Sequence, residues 1–217
     1  MPAADLARLV AQAGDVAALR RSAQAEPRAS KAEFPKFSLE DALRVPNALQ
    51  RNGGQPLPAI EMATAVRRSP GSSDFRVLTA ASSAYGLSGG SYKTQFSMGV
   101  LGQAITQPTT PDEEARSVVA AALRPPVFQA VYDYYKGKRY PEGQFFANTI
   151  IREFGVEPKQ AEKFVEVFTA NMRFAGLIRE TPGGNWLAKD AVPQSTSTTV
   201  TEQEVEDVDA EAEAERE

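Results

Sequence analysis

The chain contains neither cysteine nor histidine. Without cysteine there is no disulfide, no thiolate metal site and no thiol nucleophile. Without histidine the commonest general base and the commonest metal ligand are both missing. The two absences exclude Cys/His zinc sites, Ser-His-Asp triads and HExxH hydrolases, and leave carboxylate chemistry, which needs acids gathered in a cleft. No such cluster shows in the pattern: Glu40-Asp41 and Glu113-Glu114 both fall at helix starts, where the positive end of the helix dipole accounts for acids. The expectation is a protein that is not an enzyme and takes no cofactor or metal. Long apolar runs are missing too. None approaches the roughly 20 residues of a membrane span, and Asp5, Arg8, Gln12 and Asp15 interrupt the N-terminus before a signal-peptide core can form. A cytoplasmic protein with no membrane partner is expected.

What is present suffices for a packed core. Of 217 residues 42% are hydrophobic, with eleven phenylalanines, six tyrosines and one tryptophan, enough for one ordinary domain or two small ones. The net charge of −4 is unevenly spread. Residues 191–217 hold nine acids against Arg216 alone, a local −8, so residues 1–190 carry +4. The acidic balance belongs to the tail, and an acidic isoelectric point does not argue against a nucleic-acid partner for the rest.

The coarse organisation has four parts. Residues 1–33 form an N-terminal extension, partly helical or disordered. Leu6, Leu9, Val10, Ala13, Val16 and Ala17 recur near helical spacing, Gly14 weakens that helix, and Pro27 closes it off. Residues 34–107 form a first unit. Ser38 is an N-cap for a helix to Arg51, with Leu39, Ala42, Leu43 and Leu49 inward and a kink at Pro46. A helix from Pro58 to Arg67 follows, with Ile60, Ala63 and Val66 inward. A third runs from Ser73 to Tyr85, capped by Ser72, with Phe75, Leu78, Ala81 and Tyr85 inward and Gly86 as left-handed terminator. Leu87–Tyr92 and Lys93–Phe96 read as a hairpin, and 97–105 as a small helix.

Residues 108–190 repeat this layout. Thr110-Pro111-Asp112-Glu113 is a helix start with capping box, N1 proline and acids. Helices around Val127–Tyr135 and Phe145–Phe154 follow. From Pro158 comes the cleanest amphipathic face, Ala161, Phe164, Val165, Phe168, Met172 and Ala175, and then a hairpin across 181–184. Phe145, Phe146, Phe164 and Phe168 read as core. Residues 191–217, rich in Ser/Thr and then Glu/Ala, lack the apolar area to offset ordering entropy and read as a disordered acidic tail. The fold class expected is mainly α with small β-hairpin wings, two winged helix-turn-helix-like units in tandem.

The stretch Phe34–Arg179, about two-thirds of the chain, resembles a prokaryotic family of tandem winged-helix-like proteins, a domain of unknown function. The likeness lies in Phe37-Ser38-Leu39-Glu40-Asp41-Ala42-Leu43, in Asp74-Phe75-Arg76-Val77-Leu78-Thr79-Ala80-Ala81 with Tyr85-Gly86-Leu87, in Pro125-Pro126-Val127-Phe128 and in Phe174-Ala175-Gly176-Leu177-Ile178. It implies the fold and carries little function with it.

The first unit offers the better nucleic-acid surface. Arg67 and Arg68 fall in the turn before the third helix. Ser73, Arg76, Thr79 and Ser83 lie off its core stripe, Ser72 sits at its start, and Lys93 on the hairpin reaches toward a neighbouring phosphate. Hydroxyls and an arginine at a helix N-terminus suit phosphate and base-edge contacts in double-stranded DNA. The opposite reading is a solvated or protein-facing helix, since the six bases and four acids of 38–106 are a faint excess. On the second unit Lys159, Lys163 and Arg173 mix with Glu162 and Glu166, which suits ion pairing and a protein partner or homodimer. The loop Lys136-Gly137-Lys138-Arg139-Tyr140 either grips a backbone and stacks a base between its tyrosines, or is exposed with those tyrosines half in the core. A DNA-binding or transcription-linked role is the leading expectation. The alternative is a protein-interaction adaptor within a larger complex. The tail either solubilises or folds back on the basic surface.

Overall fold

A computed structural model describes residues 32–181 and 184–189. The expected N-terminal extension up to residue 31, the acidic tail and the turn residues 182 and 183 lie outside the described residues. The described chain is mainly helical, with two small antiparallel hairpins.

Ser38 caps as expected: its Oγ accepts from the Asp41 N–H at 3.1 Å. The helix it starts is two helices, α1 (Leu39–Ala42) and α2 (Arg44–Arg51). The break falls at Leu43, before Pro46 and not at it. Pro46 thus occupies the first turn of α2, where its missing N–H has no intrahelical acceptor to lose. The kink expected within one helix is instead a fresh start. Then come α3 (Ala59–Ala65), α4 (Ser73–Ala84), β1 (Ser88–Gly89) and β2 (Ser97–Met98). Ile60, expected inward, is 67% exposed. The buried face of α3 is Ala59, Met62 and Ala63.

The hairpin also departs from expectation. Its strands are shorter, Tyr92 and Lys93 lie in the intervening loop, and 97–98 belong to a strand, so the next helix, α5, covers Val100–Thr106. Leu57, between α2 and α3, adds a third rung. Its N–H donates to the Phe96 carbonyl at 2.9 Å and its carbonyl accepts from the Phe96 N–H at 2.8 Å.

In the second half, α6 (Pro111–Leu123) starts at Thr110, whose hydroxyl accepts from the Glu113 N–H at 3.1 Å. The capping box is shifted by one residue, because the Glu113 carboxylate takes the Thr109 N–H at 2.7 Å. Then follow α7 (Pro126–Tyr135), α8 (Gln144–Phe154), a 3₁₀ turn (Pro158–Gln160), α9 (Ala161–Phe174), β3 (Ile178–Thr181) and β4 (Gly184–Leu187). Gly86, Gly155 and Gly176 all adopt the left-handed backbone expected of helix terminators. Between α7 and α8, residues 136–140 pair with β4: Gly137 N–H donates to Leu187 O at 2.7 Å and Leu187 N–H to Lys138 O at 3.1 Å. Both halves therefore share one order, in which a segment between the second and third helices (α2 and α3, then α7 and α8) pairs with the second side of the closing hairpin, at Phe96 just before β2 and along β4.

The core has two clusters. The smaller joins Val45, Leu49, Leu57, Met62, Phe75, Leu78 and Phe96. The larger takes Leu39, Ala42, Ala81 and Tyr85 from the first half together with Phe128, Phe146, Phe164, Phe168 and Met172 from the second. Fully burying each such aromatic contributes about 1.5–3 kcal/mol. Phe145, expected in the core, is instead 76% exposed. At the junction the Asn171 side chain accepts from Leu39 N–H at 2.7 Å and donates to the Tyr85 hydroxyl at 2.8 Å, and that hydroxyl donates to Phe37 O at 2.9 Å. Burial pushes the Tyr85 phenol far above its ordinary range, which keeps it a donor.

Candidate nucleic-acid interface

The turn from α3 to α4 is built by backbone hydrogen bonds and leaves its arginines outside. Arg68 N–H reaches Ala63 O at 2.8 Å and Arg67 N–H reaches Thr64 O at 3.1 Å, the double closure of a Schellman motif. The left-handed position in that motif is usually glycine, yet here it is Arg67, with φ +57°. A side chain with a β-carbon in that region stores strain of about 1 kcal/mol or more.

The eight expected contact residues do not fare alike. Ser72 is spent on capping: its hydroxyl accepts from Phe75 N–H at 3.2 Å and donates to Ser69 O at 2.8 Å. Thr79, expected on the outer face, is buried, and its hydroxyl turns back to Phe75 O at 3.0 Å. A threonine satisfied by its own helix needs no outside partner. Arg68 is half-buried and ion-paired to Asp74. Arg76 is exposed but folds back, donating to Gly71 O at 2.9 Å. Arg67, Ser73, Ser83 and Lys93 are exposed.

A concave surface beside this turn escaped the sequence reading. It has a volume of about 1000 Å³ and runs between α2 and α3, lined by Arg44, Asn47, Arg51, Asn52, Ile60, Thr64, Arg67 and Arg68. Arg44, Asn47 and Arg51 sit at i, i+3 and i+7, the face opposite the Val45–Leu49 core stripe, so the spacing could have found it. The groove is not uniformly cationic. Glu61 lines it, Arg44 pairs with Asp41 at 3.5 Å, and Arg68 is held by Asp74. Of the four cations that line the groove, Arg51 and Arg67 are exposed and have no ion pair among the described residues.

On the second half, the mixed charges of α9 and its flanks pair off. Lys163 meets Glu166 at 2.8 Å, Arg173 meets Glu180 at 2.9 Å and Lys159 meets Glu157 at 3.6 Å. Tyr135 and Tyr140, either side of the basic loop, are 7% and 3% exposed, so neither can stack a base. Burial raises the Tyr140 phenol above its ordinary range. The loop is the extended segment paired with β4, with Lys136 held by Asp133 at 2.7 Å. Among the described residues no three acids gather as a metal site, and no helix is long and apolar enough to cross a membrane. No family model matches the chain, and no curated protein or solved structure matches it.

Proposed function

We propose that the chain is a non-enzymatic, cytoplasmic protein of two winged-helix-like units that binds double-stranded DNA through its first unit. The carrying observation is the repeated order of helix, bridging segment, helix, helix and hairpin, with the bridging segment paired to Phe96 just before β2 in the first half and to β4 in the second. Under the proposal, α4 and the loop of the first hairpin project together toward a duplex. In this reading Arg67, Ser73, Arg76, Ser83 and Lys93 meet phosphates and base edges. Arg68 and Ser72 hold the turn, Thr79 belongs to the helix itself, and Arg51 extends the phosphate track into the groove. The strain at Arg67 supports an outward cation kept for contact.

Duplex affinity of the full chain, measured by anisotropy across a salt series, tests this. Log affinity should fall linearly with log salt, with a slope of about −0.9 per phosphate neutralised. Arg67→Ala and Lys93→Ala should each flatten the slope by about 1. Absence of duplex binding at low salt sinks the reading. Deleting 191–217 should raise affinity if the tail competes for the same cations.

A second reading, an adaptor docking a protein or a second copy through the second unit, draws on the exposed Phe145 and the paired charges around α9. A stoichiometric complex unaffected by Arg67→Ala would favour it.

A further inference from the structure

The one tryptophan of the chain is not in the core. Trp186 lies on β4 and is 41% exposed, while its neighbour Leu187 points inward at 1%. An indole left on an outer sheet face forgoes burial that a smaller polar residue there would not need. Its neighbours explain the choice. In register, Trp186 stands opposite Arg179 on β3 and opposite Arg139 on the bridging segment. Directly opposed residues in antiparallel pairs share a face. Arg139, Trp186 and Arg179 therefore form one row across the three rungs, with the arginine backbones about 10 Å apart.

Both arginines are exposed and lack a carboxylate partner among the described residues, whereas nearby Glu180 is engaged by Arg173 at 2.9 Å. The Arg139 guanidinium lies over Gly184, two residues from Trp186 on the same strand. A β-carbon at 184 would collide with it, and the backbone there has φ +114°. Glycine at 184 thus leaves room for the guanidinium on the indole's own face of the sheet.

We propose that this row is a stacking site for single-stranded nucleic acid, with a base on the Trp186 ring and the flanking phosphates on Arg139 and Arg179. An exposed aromatic between cations is the device by which unpaired bases are held without sequence preference. A duplex keeps its base faces stacked away and cannot use it. The acidic tail is the competing occupant, but residues 190–217 include no aromatic side chain. Its carboxylates would meet the arginines and leave the indole unused. The site needs none of the α4 residues and goes beyond the duplex reading.

Because Trp186 is the only tryptophan, the emission of the full chain reports on this site alone. The experiment titrates it with an oligothymidine strand, with the corresponding duplex and with inorganic polyphosphate. The single strand should quench emission saturably, and polyphosphate should not. With a labelled strand read by anisotropy, Trp186→Ala should weaken binding about 10-fold, Trp186→Phe should stay within about 3-fold, and Arg139→Ala and Arg179→Ala should each cost about 5-fold. Circular dichroism confirms that each variant is folded. Binding without quenching, or equal affinity in Trp186→Ala, overturns the proposal. Emission that changes on deleting 191–217 yet ignores the oligonucleotide assigns the row to the tail and also overturns it. Duplex binding lost in Arg67→Ala bears on the first unit only, so the two ideas fail separately.

Discussion

Asn171 is the residue whose replacement says most about how the two halves are joined. Its amide oxygen accepts from the buried Leu39 N–H and its amide nitrogen donates to the buried Tyr85 hydroxyl. Asn171→Leu strands that N–H and removes a donor from Tyr85. An orphaned buried donor costs about 1–3 kcal/mol and a lost hydrogen bond about 0.5–1.5, so about 2–4 kcal/mol is expected. Tyr85→Phe strands Phe37 O and the Asn171 amide, for about 1–3 kcal/mol. In the double variant the Tyr85–Asn171 bond is lost once rather than twice, so its cost should fall short of the sum by about 1 kcal/mol or more. Urea unfolding of the full chain followed by circular dichroism measures this, a loss of about 2 kcal/mol moving the midpoint by about 1 M at an m-value near 2 kcal/mol/M. Since the larger core draws on both halves, each curve should be one cooperative transition. Additivity within about 0.5 kcal/mol would refute the relay, and two separate transitions would refute the shared core.

Gly102 in α5 faces the Leu87 carbonyl so closely that a β-carbon would overlap it. Gly102→Ala should therefore destabilise by about 1–3 kcal/mol where helix propensity alone would stabilise by about 1, as read from thermal melts. Arg67→Gly should relieve its left-handed strain and stabilise by about 0.5–1 kcal/mol while weakening duplex binding, a trade that separates stability from contact. The Glu113 carboxyl is held below its ordinary range, first by the Thr109 hydroxyl and then by the Thr109 N–H. A depressed carboxylate stabilises above its unfolded-state pKa and loses that contribution as pH falls through the folded one. The melting-temperature gap between the natural chain and Glu113→Gln should accordingly close as pH drops from neutral to about 3, and a gap that persists in acid would contradict this assignment.

Local chemistry was legible and long-range placement was not. Ser38, Ser72 and Thr110 announce helix starts, and Gly86, Gly155 and Gly176 announce their ends, because caps answer to backbone groups within a few residues. The stripe of α9 was also readable, though Val167 and Asn171 join it and Val165 is only half-buried. Asn171 could not be placed from sequence, since its partners lie 132 and 86 residues away. The pairings of Leu57 and of 136–140 are too short to carry a period. Ile60 and Phe145 fit an apolar spacing, but each helix is rotated so that smaller or adjacent apolar residues face in. In the candidate site the arginines of the turn were legible. Thr79 misled because hydroxyls read as polar even when their own helix satisfies them. Trp186 drew no notice because its meaning depends on the strands beside it.

The two cores meet along α4. Phe75 and Leu78, in its first half, belong to the smaller cluster, while Ala81, in its second half, and Tyr85, which caps its C-terminus, belong to the larger. A twelve-residue helix is about 18 Å long and stiff on that scale. The exposed Ser73 and Arg76 thus ride on an element whose other end is bolted through Tyr85 to Asn171 of α9. Packing both halves onto one rod fixes the first-unit surface relative to α9, and α9 leads directly into the hairpin that carries Arg179 and Trp186. If the proposed duplex and single-strand surfaces both hold, their place on one rigid body favours nucleic acid that offers both at once, such as a duplex ending in an unpaired strand. On two freely hinged units the same contacts would add only through a loose effective concentration.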